Sequence, residues 1–132
     1  MKIVVSEEKG RVPVTVLAVE GEIAADSYQE LQQKAEQVFS SGTRDLILDL
    51  SKVTFVSSSG LRAIHHIFSL LRDPEKEGDE TVREGMRAGT YQAPHFKLVN
   101  PARNVRQVLQ QAGFDMFLEI HSDLPGAIAS FS

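Results

Sequence analysis

With 132 residues, the chain has the size of a single domain, long enough to bury about two-thirds of the surface its unfolded form exposes. A hydrophobic share of 42% and a charged share of 24% are those of an ordinary globular core, and exclude a disordered or fibrous chain. The net charge of −4, with basic residues scattered, argues against a nucleic-acid partner, and the absence of cysteine removes disulfide scaffolds, thiolate metal sites and cysteine nucleophiles.

The opening Met1-Lys2-Ile3-Val4-Val5-Ser6 has an apolar run too short for a signal peptide or a membrane span. A cytoplasmic protein with no direct membrane insertion is therefore expected. Ile3 to Ser6 reads as a strand, Lys9-Gly10-Arg11 as a turn, and Val12 to Glu20, rich in β-branched residues, as the returning strand of a hairpin. Pro13 marks its start as an edge or as lying outside the ladder. Gly21-Glu22-Ile23-Ala24-Ala25 is read as leaving the strand.

Asp26 or Ser27 is placed to cap a first helix, and Ser27 with Glu30 has the spacing of a capping box. That helix runs to about Ser40, with Leu31, Ala35, Val38 and Phe39 on its apolar face, and Ser41-Gly42 ends it. Leu46 to Leu50, continued by Val53, Phe55 and Val56, predicts a central strand buried on both faces. Ser57-Ser58-Ser59-Gly60 follows, and a second helix over Leu61 to Leu71 puts Leu61, Ile64, Phe68 and Leu71 on one side.

Residues 72–94 are charged and hold Gly78, Gly85 and Gly89; they are expected to form a mobile insertion with one helical turn around Val82 to Arg87. An eleven-residue second helix puts this insertion on the order of 16 Å from Ser58. His95 to Val99 predicts a further strand. Asn100-Pro101 is expected to open a third helix, with Val105, Val108, Leu109 and Ala112 inward and Gly113 as its stop. Met116 to His121 predicts a last strand, and Ser122-Asp123 a cap for a final helix with Leu124, Ile128 and Phe131 inward. The order ββαβαβαβα implies one α/β domain spanning residues 1–132, with a mixed, mostly parallel sheet and helices packed against it.

Chemistry concentrates in Asp49-Leu50-Ser51-Lys52-Val53-Thr54-Phe55-Val56-Ser57-Ser58-Ser59-Gly60-Leu61. A strand here delivers three hydroxyls to a helix start, where free N–H groups and the macrodipole favour negative charge. Phosphorylation would add about −1.5 to −2 charges there and switch a docking face without unfolding the domain. Serines at such a position also serve simply as caps, and spacing alone does not separate the two readings.

This run resembles the signature of the STAS domain of anti-sigma factor antagonists: Asp-Leu-Ser, an apolar strand end, then Asp-Ser-Ser/Thr-Gly-Leu. Val19-Glu20-Gly21-Glu22-Ile23, Leu98-Val99-Asn100-Pro101, Val105, Val108-Leu109, Gly113-Phe114 and Phe117 to Leu124 resemble other parts of the family, so the likeness covers nearly the whole chain. The resemblance implies a non-enzymatic regulator that binds an anti-sigma factor that is also a serine kinase, and is released when phosphorylated at Ser58. Ser57 and Ser59 are the alternative modified positions. The implied docking face comprises Ala24, Ala25, Ser57, Ser58, Ser59, Gly60 and Leu61.

Two positions depart from the family pattern. Ser57 stands where the family usually has Asp, and Ala24 stands where an Asp usually closes the Gly-Glu-Leu-Asp turn. These losses favour an alternative, in which the domain is an unphosphorylated scaffold subunit of a stress-signalling or lipid-transport complex. A phosphoserine enzyme or ligand sensor is a further alternative, without an acid/base partner at recognisable spacing. His65 and His66 point about 100° apart on a helix, and no second pair of ligands accompanies them, so neither metal nor cofactor is expected. The acidic run Glu75, Glu77, Asp79 and Glu80 reads as a solvated face.

Overall fold

The structure is a computed structural model that describes residues 1–72, 83–85, 87 and 91–131. Strands β1 (Lys2–Lys9) and β2 (Pro13–Ile23) form an antiparallel hairpin, followed by α1 (Tyr28–Ser40), β3 (Leu46–Val56) and α2 (Ser58–Leu71). Then come β4 (Phe96–Val99), α3 (Arg103–Gln111), a 3₁₀ turn (Phe114–Met116), β5 (Ile120–His121) and α4 (Leu124–Ala129). The expected element order is present. The five strands lie in chain order β1-β2-β3-β4-β5, with every pair after the hairpin parallel.

This order explains the layering. Successive right-handed crossovers between neighbouring parallel strands, all advancing in one direction, put the intervening helices on the same side of the sheet. Accordingly, Leu31 and Ala35 of α1, Ile64, Ile67 and Phe68 of α2, and Val105 and Leu109 of α3 share one core with Leu17, Val19, Leu46, Leu48 and Leu98. Each large side chain buried there contributes roughly 1.5–3 kcal/mol relative to exposure. The other face is covered by α4, whose Ala127, with Phe131 just beyond the helix, packs on Val14, Val16, Ile47 and Val99.

Several local expectations are corrected. The strand β1 is longer than Ile3 to Ser6, because pairing with β2 is unbroken from Lys2↔Glu20 to Lys9↔Pro13. Residues 21–23 stay in β2 instead of leaving it; register shifts at Ala18/Glu20 and Gly21/Glu22, with Gly21 at φ 104°, let the strand follow β3 to Ile23↔Val56. Only the first half of β3 is buried on both faces. Beyond Leu50 the strand outruns β4, and Ser51, Lys52, Thr54 and Phe55 are exposed.

The Ser27 capping box does not form. Its hydroxyl accepts from the Ala24 amide at 3.0 Å and donates to the Glu22 carbonyl at 2.7 Å, closing the turn after β2 instead. Asn100 does not cap α3 either: it adopts left-handed backbone (φ 56°) and donates its amide to the His121 carbonyl, so the N-cap falls on Ala102. Ala112 is the exposed C-cap of α3 and Val108 is only half-buried, leaving Val105 and Leu109 as its inward residues.

The last strand is shorter than Met116 to His121. Phe114–Met116 forms a 3₁₀ turn that aims Phe117 at Phe68, with ring centroids 5.0 Å apart. At α4 the cap is Asp123, whose Oδ1 accepts from the Gly126 amide at 2.7 Å. Of the insertion expected at 72–94, residues 83–85 and 87 are helical, while residues 73–82, 86 and 88–90 lie outside the described residues.

Candidate functional site

The hydroxyl-rich run converges where β2 and β3 end side by side. Because Ile23 pairs with Val56, the chain leaves both strands at the same level, and the turn containing Ala24 and Ala25 meets the start of α2. Helix α2 begins at Ser58, three residues earlier than the apolar pattern alone indicated. Ser57 is its N-cap: its backbone is extended (φ −86°, ψ 178°), and its hydroxyl accepts from the Gly60 amide at 3.1 Å. The Ser57 amide also donates to the Ile23 carbonyl at 3.0 Å.

Gly60 explains why the helix can start so close to β2. It is buried, and a Cβ built on it would lie 2.2 Å from the Ile23 carbonyl oxygen and 2.9 Å from Val56. Only a residue without a side chain lets the first turn rest directly on the strand end.

With Ser57 engaged as the cap, Ser58 occupies the first helical position. It is exposed, and its hydroxyl makes no hydrogen bond within the described residues. Ser59 and Leu61 are half-buried. The first turn of α2 has no acidic residue, so the positive end of the macrodipole is not offset from within the helix. The structure thus gathers Ala24, Ala25, Ser57, Ser58, Ser59, Gly60 and Leu61 at one end of the sheet. Their roles differ: Ser57 and Gly60 build the corner, and Ser58 is displayed by it.

One exposed residue was missed in the sequence. Phe55 reads as core by its place in an apolar run, yet it is 46% exposed on the part of β3 that outruns β4. It lies three residues before Ser58. The strand lengths carry the signal, because β4 is only four residues long and leaves the C-terminal half of β3 without a neighbour on that side.

The histidines do not converge. His66 Nε2 lies 2.9 Å from Glu36 Oε1, whereas His65 tilts against the rings of Phe68 and Phe114. No group of three or more potential metal ligands occurs among the described residues. No described helix is long and apolar enough to cross a membrane.

Against known proteins, the STAS domain model matches residues 4–75, just over half of the chain, from within β1 through α2 and including the whole corner around Ser58. Among solved structures, an anti-sigma factor antagonist from Mycobacterium paratuberculosis is similar at 25% identity with a TM-score of 0.71, over 98% of this chain and 92% of that one. A putative anti-sigma factor antagonist from Thermotoga maritima matches at 20% identity and a TM-score of 0.66, covering 87% of this chain and 84% of that one. The Bacillus cell fate determinant SpoIIAA in its phosphorylated form matches at 18% identity and a TM-score of 0.61, over 96% of both chains. No curated protein matches the chain. The five-stranded mixed sheet, the corner built by Ser57 and Gly60 on the end of β2, and the family match together place the chain in the STAS domain family.

Proposed function

We propose that the chain is an anti-sigma factor antagonist that docks on an anti-sigma factor with serine kinase activity and is switched by phosphorylation at Ser58. The observation that carries this reading is the division of labour between adjacent serines. Ser57 takes the cap, which leaves the neighbouring hydroxyl exposed and uncommitted at the positive end of a helix. Aspartate and serine are both strong N-caps, so Ser57 in place of the family's usual Asp retains the cap while removing a charge. A phosphate at Ser58 would meet free helix N–H groups and would change the charge of the docking face formed with Ala24, Ala25, Ser59 and Leu61.

The SpoIIAA structure of a phosphorylated form lends support from a protein of the same fold. The test is incubation with ATP and candidate anti-sigma factor kinases, followed by mapping of phosphate by mass spectrometry. Phosphate on Ser58, and weaker kinase binding by Ser58→Asp than by Ser58→Ala, are expected. Phosphate confined to Ser57 or Ser59 would overturn the assignment.

The missing acids at Ser57 and Ala24 favour a second reading, in which the same face packs permanently in a larger complex without modification. Co-purification with partner subunits, and equal retention of Ser58→Asp and Ser58→Ala in that complex, would select it. On either reading the cytoplasm is the proposed location.

A further inference from the structure

We infer that the free edge of β1 is a self-association site, on which a second copy of this chain adds its own β1 antiparallel to form a continuous ten-stranded sheet. The inference is independent of the switch at Ser58. The strand β1 is at the end of the sheet, eight residues long and paired with β2 without a bulge. All its residues except Ile3 are exposed, including Val4 at 44% and Val5 at 41%. A long regular edge of this kind is a template for another strand.

The hydrogen bonds fix which residues face outward. The Thr15 amide donates to the Asp45 carbonyl, so odd-numbered residues at the start of β2 point toward β3 and even-numbered ones toward β1. Glu8, Ser6 and Val4 are the partners of Val14, Val16 and Ala18, and therefore spend their main-chain groups inside the hairpin. Ile3, Val5 and Glu7 present theirs to the outside. Across an antiparallel joint, outward residues must pair with outward residues. This restricts the possible registers to those that pair odd with odd.

Charge chooses among them. With Val5 on the two-fold axis facing Val5 of the second copy, Ile3 pairs with Glu7, and about six main-chain hydrogen bonds form. Lys2 then falls opposite Glu8 of the second copy, in the closer, non-hydrogen-bonded type of pair. In its own sheet, Lys2 lies 3.9 Å from Glu20, and Glu20 lies 3.8 Å from Lys52. Glu8 has no ion-pair partner among the described residues. The joint thus extends an alternating row, Lys52, Glu20, Lys2, into Glu8 of the second copy. Shifting by two residues one way puts Val4 against Glu8 and Val5 against Glu7; shifting the other way leaves Lys2 opposite Ser6. A parallel joint in register would stack Glu7 and Glu8 on their own copies, and like charges facing each other repel.

Sedimentation of the full chain over a concentration series up to the millimolar range, at low salt, tests the inference. A reversible dimer is expected, weakened about tenfold or more by Glu8→Lys and by Lys2→Glu, and regained on combining the two substitutions. Amide exchange should slow with concentration at Ile3, Val5 and Glu7, and remain unchanged at Val4 and Ser6. A chain that stays monomeric throughout would overturn the inference, as would a dimer indifferent to Glu8→Lys with unaltered exchange along β1.

Discussion

The Ser57 amide donates to the Ile23 carbonyl oxygen at 3.0 Å, fastening the residue that caps α2 to the last residue of β2. Cap and strand end are thereby one rigid unit. The neighbouring Ser58 takes no part in that unit and is exposed. Two adjacent residues of the same chemical type therefore have different jobs, one holding the corner and the other displayed by it.

Stability measurements should separate the two. Ser57→Ala removes the acceptor for the Gly60 amide and is expected to cost about 1 kcal/mol, within the usual range for losing a serine cap. Ser57→Asp should retain most of that stability. Ser58→Ala, at an exposed first helical position, should fall within about 0.5 kcal/mol of the parent. Urea denaturation of the three variants checks this; equal losses for Ser57→Ala and Ser58→Ala would contradict the assignment of the cap.

Gly60→Ala presents two opposed effects. Alanine gains about 1 kcal/mol over glycine in a helix interior, and less near its first turn. Against this, the added Cβ would lie 2.2 Å from the Ile23 carbonyl oxygen, a backbone atom that cannot swing aside. Overpacking of this sort costs typically 1–3 kcal/mol, so net destabilisation is expected, with chemical-shift changes at Ile23, Ala24 and Ser58 as α2 is lifted from the strand end. A variant as stable as the parent, with those shifts unmoved, would contradict the close approach.

The architecture was legible because periodicities are long-range averages. The strand and helix order, the apolar stripe of α2 and the core positions of β2 all follow from recurring side chains whose burial is insensitive to small errors in register. The element ends were less legible because each depends on one hydrogen bond with several competing acceptors. Ser27 had the spacing for a capping box, but its hydroxyl found the Glu22 carbonyl and Ala24 amide, which a one-dimensional pattern does not show. Asn100 looked like a cap, but its left-handed backbone serves the turn that brings its amide to the His121 carbonyl. At the candidate site, the serine run was visible, whereas the assignment of the cap to Ser57 required the position of Ile23. The fate of Lys97 was invisible: it lies inside an apolar strand, yet is nearly buried.

Lys97 is accommodated by two hydrogen bonds and an ion pair. Its Nζ lies 2.9 Å from Glu119 Oε2, 2.9 Å from Ser130 Oγ and 3.1 Å from the Ser130 carbonyl, and 4.6 Å from the centre of the Phe131 ring. Since Ser130 is the C-cap of α4, this lysine ties that helix to the sheet and complements the negative end of its dipole. Glu119→Ala should leave a buried cation one partner short and cost roughly 1–3 kcal/mol. Adding Lys97→Met removes the stranded charge, so the double variant should be less destabilised than the sum of the single ones by about 1 kcal/mol or more. A thermodynamic cycle by denaturation supplies the measurement, and strict additivity would show that the ion pair carries no coupling.

Ser58→Asp should move stability and binding in opposite directions. A carboxylate in the first turn faces free N–H groups and the positive end of α2, a position otherwise without an acid, and such placement stabilises by about 0.3–1 kcal/mol at low ionic strength. The same charge lies on the face proposed to dock on the anti-sigma factor, where it should weaken binding as a phosphate would. A melting temperature equal to or slightly above that of the parent, and an unchanged circular dichroism spectrum, would accompany the loss of affinity. Raising salt should shrink the gain in stability, since the carboxylate is solvent-exposed and screened. If affinity fell together with the melting temperature, the loss would be due to damage at the corner instead of to charge on the face. In that event the displayed hydroxyl would be part of the scaffold, and the division of labour between Ser57 and Ser58 would fail.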